Sequence, residues 1–144
     1  LTKFATAATL VPPPVLRRAK KKTRLGVVYF GSTSPAMQEA LEVLAAAGIH
    51  LDALRLRAFP FPQAVSDFLA AHDQVFVVEQ NRDAQMHSLL VNELDIDPAR
   101  LVRVLHFDGT PITARFISKA ITARVPAKTV KPRRRKPAAQ EATS

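Results

Sequence analysis

Two kinds of apolar pattern alternate along the chain. Leu25-Gly26-Val27-Val28-Tyr29-Phe30 is an unbroken apolar run closed by Gly31, as expected of a strand covered on both faces. Beyond Ser32-Thr33-Ser34, residues Met37, Leu41, Leu44 and Ala47 recur at helical spacing. Ser34 is placed to cap that helix, Pro35 suits its first position and Gly48 suits a left-handed stop. From Leu51 to Ala58 the period becomes two, with Leu54, Leu56 and Ala58 alternating with Arg55 and Arg57; this predicts a strand at or near a sheet edge. Pro60 and Pro62 end it, and a short helix from Ala64 to Ala71 is expected to bury Val65, Phe68 and Leu69.

The alternation continues. Val75-Phe76-Val77-Val78 predicts a second all-apolar strand, closed by Glu79-Gln80-Asn81. Asp83 is positioned to cap a helix whose Met86, Leu89, Leu90 and Leu94 form one stripe, and Leu101 to Phe107 predicts a last strand stopped by Asp108-Gly109. Thr110-Pro111 repeats the capping signal before a helix with Phe116, Ile117, Ala120 and Ile121 on its inner face. Strands alternating with helices predict an α/β domain over residues 25–123. It has three layers, a mostly parallel sheet of four or five strands with helices on both faces.

Charge changes the picture only at the ends. The net charge of +9 divides into +7 over residues 1–24, −4 over 25–123 and +6 over 124–144, so the folded part is mildly acidic. Residues 1–24 read as an extended lead-in: Pro12-Pro13-Pro14 favours a polyproline conformation over the helix of a secretion signal. Arg17-Arg18 and Lys20-Lys21-Lys22 then read as a solvated hinge. From Val125 onward Pro, Lys, Arg, Ala and Thr dominate, which predicts a disordered basic tail. No aromatic residue is interleaved there, so base stacking is absent and specific nucleic-acid binding is not expected; salt-sensitive, non-specific binding of polyanions remains open. The 144 residues include no Cys, which excludes disulfides, thiolate zinc sites and any iron–sulfur cluster held by this chain. No apolar run approaches the ~20 residues of a membrane-spanning helix. A chain opening on Leu1 reads as a piece of a longer product.

Ligands of open α/β sheets bind beyond the carboxyl ends of the strands, where four loops are expected to meet: Gly31 to Ser34, Arg57 to Phe61, Glu79 to Arg82, and Asp108 to Thr110. Gly31-Ser32-Thr33-Ser34 has free amides for an anion such as the phosphate of coenzyme A, yet it lacks the glycine spacing of a dinucleotide loop and the Gly-Lys-Ser/Thr of a phosphate loop. Glu79 reads as a base or ligand contact, as an acceptor for loop amides, or as a partner of Arg82, Arg57 or Arg55. His50, His72, His87 and His106 occur singly, so no metal site is expected. Ser32 and Ser34 lack the Gly-X-Ser-X-Gly elbow of hydrolases. No catalytic constellation is visible.

Four stretches occur in this order: Leu25-Gly26-Val27-Val28-Tyr29-Phe30-Gly31-Ser32, Leu54-Arg55-Leu56-Arg57-Ala58-Phe59-Pro60-Phe61, Val77-Val78-Glu79-Gln80-Asn81-Arg82-Asp83-Ala84-Gln85, and Asp108-Gly109-Thr110-Pro111-Ile112-Thr113-Ala114-Arg115. Together they resemble the carboxyl-terminal part of the α subunit of 2-oxoacid:ferredoxin oxidoreductases, the 2-oxoglutarate type in particular. Leu10-Val11-Pro12-Pro13-Pro14-Val15 is similar to the segment preceding that domain, and the likeness spans roughly residues 8–123. The tail from Val125 lies outside it.

The resemblance implies a domain like the carboxyl-terminal domain of transketolase, packed against thiamine-diphosphate-binding domains and subunits. The complex it implies oxidatively decarboxylates a 2-oxoacid onto coenzyme A in the cytoplasm and passes electrons through an iron–sulfur cluster to ferredoxin. Its thiamine diphosphate, Mg and iron–sulfur cluster would lie outside this chain. The implied partners are the β subunit and upstream α-subunit domains, and Arg55, Arg57, Glu79, Gln80, Asn81 and Arg82 are the residues expected at such contacts. The alternatives are a free-standing module binding coenzyme A at Gly31 to Ser34, and polyanion binding by the basic ends.

Overall fold

Side-chain alternation along the central strands sorts the apolar residues into two layers. The computed structural model describes residues 11–126. β1 is Val15–Arg17, β2 Leu25–Phe30, β3 Asp52–Leu56, β4 Gln74–Glu79 and β5 Leu101–Leu105. β2 sends Val27 and Tyr29 to one face and Val28 to the other, and β4 divides Phe76 and Val78 from Val75 and Val77 in the same way. Met37, Leu41 and Leu44 of α1 (Ser34–Ala46) and Ile117 and Ile121 of α4 (Ala114–Thr122) cover the first face. Val65, Phe68 and Leu69 of α2 (Gln63–Ala70) and Leu90 of α3 (Gln85–Leu94) cover the second. Strands buried on both faces explain the continuous apolar runs of β2 and β4. The three layers are those expected from the sequence.

The sheet runs β1-β3-β2-β4-β5, and every neighbouring pair is parallel except β1 with β3. The expected extended lead-in lies along the sheet, and part of it is β1. Val15, Leu16 and Arg17 pair with Arg55, Leu54 and Ala53, because β3 would otherwise leave a row of backbone groups unpaired. The alternating strand is therefore one place in from the edge.

Asp52, at the start of β3, breaks the apolar pattern and is only 6% exposed. Its Oδ1 accepts the Ala19 amide at 2.8 Å, and its Oδ2 lies 2.9 Å from His72 Nε2 and 3.4 Å from the Arg18 guanidinium. Burial pushes the Asp52 carboxyl up, but the hydrogen bonds of His72 and Ala19 and the charges of His72 and Arg18 outweigh it and hold it below the usual carboxylate range. The expected hinge is thus fastened to the sheet at Arg18 and Ala19. The His72 ring is fixed on its other side by the Phe68 carbonyl, 2.6 Å from Nδ1. Gly26 gives this cluster its space: a Cβ there would stand 3.0 Å from the Phe68 ring and 3.2 Å from His72 Cγ.

Helix starts differ from the sequence reading in detail. A 3₁₀ turn over Gly31–Thr33 runs directly into α1, so Ser34 is its first residue and not its cap. Thr113, not Thr110, caps α4 by accepting the Phe116 amide at 3.1 Å. Asp83 caps nothing; Ala84, with φ +50°, precedes α3. Gly48, with φ +85°, ends the α1 turn as expected. No helix of the described residues is long and apolar enough to cross a membrane. Leu10 and the tail beyond residue 126 lie outside the described residues.

Candidate functional site

From β2 the chain crosses to β3 on one side, and from β4 it crosses to β5 on the other. The carboxyl ends of β2 and β4 therefore flank the point where strand order reverses, the usual crevice for ligands in such sheets. Two of the sequence candidates meet there. Gln80 Nε2 donates to Ser32 Oγ at 3.1 Å and to Thr33 Oγ1 at 3.0 Å. This amide bridges the crevice, turning the hydroxyl oxygens of the Gly31–Ser34 turn toward Gln80. Thr33 and Ser34 are buried, whereas Gly31 and Ser32 are exposed. The Ser34 amide is already committed to the Gly31 carbonyl.

Glu79 lies at the end of β4 with no solvent exposure. Its Oε1 accepts the Met86 amide at 2.6 Å and Asn81 Nδ2 at 3.1 Å, and its Oε2 accepts the His87 amide at 3.0 Å. Of the three readings open from the sequence, acceptance of loop amides is the one the geometry realises. The carboxylate takes the place of an Asp83 cap, satisfying first-turn amides of α3 and placing a negative charge at its positive end. Such a carboxylate, enclosed and already bonded three times, presents no free charge to a neighbouring domain. Asn81 belongs to the same network, its Oδ1 accepting the Gln85 amide at 3.3 Å.

The three arginines do not join this network. Arg82 is exposed and lies 3.6 Å from Asp83. Arg57 is exposed at the end of β3. Arg55, partly buried, lies on the α1 side of β3 opposite Tyr29 and Val15, and its buried Nε has no hydrogen-bond partner among the described residues. No ion pair joins any of them to Glu79 among the described residues.

A shallow cleft of about 340 Å³ lies beside the bridge, lined by Gln80, His106, Phe107, Gly109 and Thr110. His106 is buried: its amide donates to the Glu79 carbonyl at 2.9 Å, its ring packs edge-on against Phe116, and Nε2 is 3.3 Å from Asp108 Oδ1. Asp108 Oδ1 also accepts the hydroxyl and the amide of Thr110, and these bonds hold the exposed Asp108 carboxyl below its ordinary range. The sequence shows His106 only as a single histidine; its position at a strand end, with Phe107 between it and Asp108-Gly109, is the available signal. Phe107 and Phe59 are 60% and 45% exposed, so aromatic rings stand open to solvent at this end of the sheet.

Among the described residues no three His, Asp or Glu side chains cluster to hold a metal ion. With no Cys in the chain, the donor set does not fit an iron–sulfur cluster. What the site can do chemically is hydrogen-bond through Gln80, Thr110 and the Gly31–Ser34 turn and bury the exposed rings.

No family model and no curated protein matches the sequence. Solved structures do match the fold. A 2-oxoglutarate:ferredoxin oxidoreductase from Magnetococcus marinus, solved with 2-oxoglutarate, coenzyme A and succinyl-CoA bound, aligns over 82% of this chain with a TM-score of 0.71 and 21% identity. This chain spans only 20% of the length of that one. The alpha chain of a probable 2-oxoacid ferredoxin oxidoreductase from Thermoplasma acidophilum aligns over 77% of this chain and 95% of its own, with a TM-score of 0.51 and 27% identity. A split-gene transketolase, solved as an inactive beta4 tetramer, aligns over 76% of this chain and 40% of its own, with a TM-score of 0.60 and 18% identity. The chain has the transketolase carboxyl-terminal-like fold, and its structural neighbours are 2-oxoacid:ferredoxin oxidoreductases and transketolase.

Proposed function

We propose that this chain is the carboxyl-terminal domain of the α subunit of a cytoplasmic 2-oxoacid:ferredoxin oxidoreductase, and that it positions neighbouring domains instead of performing bond chemistry. The observation that carries this reading is the likeness in fold to the Magnetococcus enzyme, of whose length this chain spans only 20%. The site geometry supports it: the switch-point crevice is bridged by the protein's own Gln80, Ser32 and Thr33, and the carboxylate best placed to act as a base is enclosed as a helix cap. The exposed rings of Phe59 and Phe107 and the polar groups of Gln80, Arg57 and Arg82 form the surface that would meet a neighbour, since buried interface centres favour aromatic residues and arginine.

In the proposed complex, thiamine diphosphate with Mg would supply the carbanion chemistry of decarboxylation, an iron–sulfur cluster would carry electrons to ferredoxin, and coenzyme A would accept the acyl group. None of these steps is assigned to residues of this chain. Its part is mechanical: a rigid sheet end held by the Glu79 and Gln80 networks presents a fixed surface.

The coding sequence upstream of the Leu1 codon tests the reading. An in-frame continuation encoding a thiamine-diphosphate-type domain is expected, and its product should co-purify with a β subunit and lose assembly when Phe107 and Gln80 are replaced by Ala. Turnover of a 2-oxoacid by the 144-residue chain alone would overturn the proposal, as would an unchanged assembly of the double variant.

A further inference from the structure

The opposite end of the molecule carries a surface that the proposed role does not use. β1 is the edge of the sheet, and its outer backbone groups have no strand partner among the described residues. Alternation sends its side chains to both faces, and Val15 and Leu16 remain 49% and 45% exposed. On the α1 side of β1 lies an open cleft of about 510 Å³, with Leu41, Ala45 and Ile49 on its floor and Arg17, Lys20 and Lys21 on its wall. On the α2 side lies a second of about 370 Å³, lined mainly by Pro14, Leu16, Leu54, Ala64, Phe68 and Ala71. The edge and its two flanking clefts form one surface.

Its charge is mainly positive. Arg17, Arg18, Lys20, Lys21, Lys22 and Arg24 are all exposed, and among the described residues only Arg18 and Arg24 have carboxylate partners, Asp52 and Asp73. Glu42 lines the larger cleft and Asp67 the smaller. Arg55, paired in register with Val15, adds the buried, unpartnered Nε on the same face as the larger cleft.

We infer that β1 and its flanking clefts are a docking site for an extended, acidic and apolar segment of a partner polypeptide, added to the sheet as a sixth strand. Exposed edges accept extended segments by main-chain pairing while flanking clefts take alternate side chains. The clefts flank the strand on opposite faces, as the alternate side chains of an added strand require, whereas one small ligand could not fill both. Among the described residues, nucleic acid would find no exposed aromatic residue here on which to stack. This contact does not depend on the oxidoreductase reading and tests separately from it.

The experiment uses the full 144-residue chain, labelled with ¹⁵N, and three synthetic probes: a peptide of alternating valine and glutamate, the same peptide with alternate amides N-methylated, and oligoglutamate of equal charge. The first should shift the Val15, Leu16 and Arg17 amides and bind at least about tenfold more tightly than the other two. Leu16→Asn should weaken the first probe by about tenfold and leave oligoglutamate unchanged. Equal binding of oligoglutamate would reduce the site to charge alone, and equal binding of the N-methylated peptide would remove strand addition; either overturns the inference. So would the absence of shifts at millimolar peptide, or self-association of the chain that covers β1.

Discussion

Two buried carboxylates stand at opposite ends of the sheet and do related work by different means. Glu79, at the carboxyl end of β4, is bonded by two backbone amides and one side-chain amide, all from the segment that follows it. Asp52, at the amino end of β3, is bonded by one backbone amide and shares its other oxygen with His72 and Arg18, which come from distant parts of the chain. The first fixes a local turn with neutral donors; the second fastens the lead-in to the core with charged or titratable ones. The turn at Glu79 should therefore be stiff, held within one short segment. The anchorage at Asp52 should respond to acid.

The largest effect is expected at Glu79. Glu79→Ala removes an acceptor from two backbone amides at the start of α3 and leaves a cavity, which should cost about 3 kcal/mol of stability. Glu79→Gln retains one acceptor oxygen and should cost about half as much. Urea unfolding of the two variants at neutral pH checks this. A loss below about 0.5 kcal/mol for Glu79→Ala would break the contrast, because the carboxylate would then be no more than a surface group.

Acid unfolding sharpens the same contrast with a smaller effect. The Asp52 carboxyl titrates lower in the folded than in the unfolded chain, so its contribution is fully present above the ordinary carboxylate range. It is lost as pH falls through the native value. Asp52→Asn keeps an oxygen for the Ala19 amide but loses the charge facing His72 and Arg18. It should cost about 1.5 kcal/mol at neutral pH and flatten the fall in stability below about pH 4. The exposed Asp73, held down by its hydrogen bond from Arg24, and Asp108, held down by Thr110, keep part of that slope. Urea midpoints measured down to pH 2 for both chains test this; parallel acid limbs would remove Asp52 from the anchorage.

The sequence made some of this legible and hid the rest for physical reasons. β2 and β4 declared themselves because burial on both faces leaves no polar position in Val27-Val28-Tyr29 or Phe76-Val77-Val78. Gly48 did so because few other residues accept its positive φ. β1 was hidden because three residues beside prolines and cations carry no periodicity; only the unpaired edge of β3 recruits them. The role of Glu79 stayed open because its acceptors' partners, Met86 and His87, lie at the start of a helix whose local signal pointed to Asp83. At α4 both Thr110 and Thr113 fit a cap, and hydrogen bonds to Asp108 take Thr110 out of contention. At the switch point the loops were foreseeable, but the bridge from Gln80 to Ser32 and Thr33 depends on strand order, which local pattern does not encode.

Ala84 tests the smallest part of the comparison. For Glu79 to reach the Met86 and His87 amides, the chain must reverse between Arg82 and Gln85, and Ala84 does this with φ +50° and ψ +48°. A residue bearing a Cβ is disfavoured there by roughly 1–2 kcal/mol, whereas glycine enters that region freely. Glycine also loses more freedom on folding, which offsets part of the gain, and it gives up the buried methyl of a residue only 4% exposed. The balance should leave Ala84→Gly more stable by about 0.5 kcal/mol, with the Glu79 bonds intact. A loss of more than about 1 kcal/mol would mean that the methyl group's packing matters more than the turn. The stiffness of this end would then rest on core contacts at Ala84, and the carboxylate would have the smaller share.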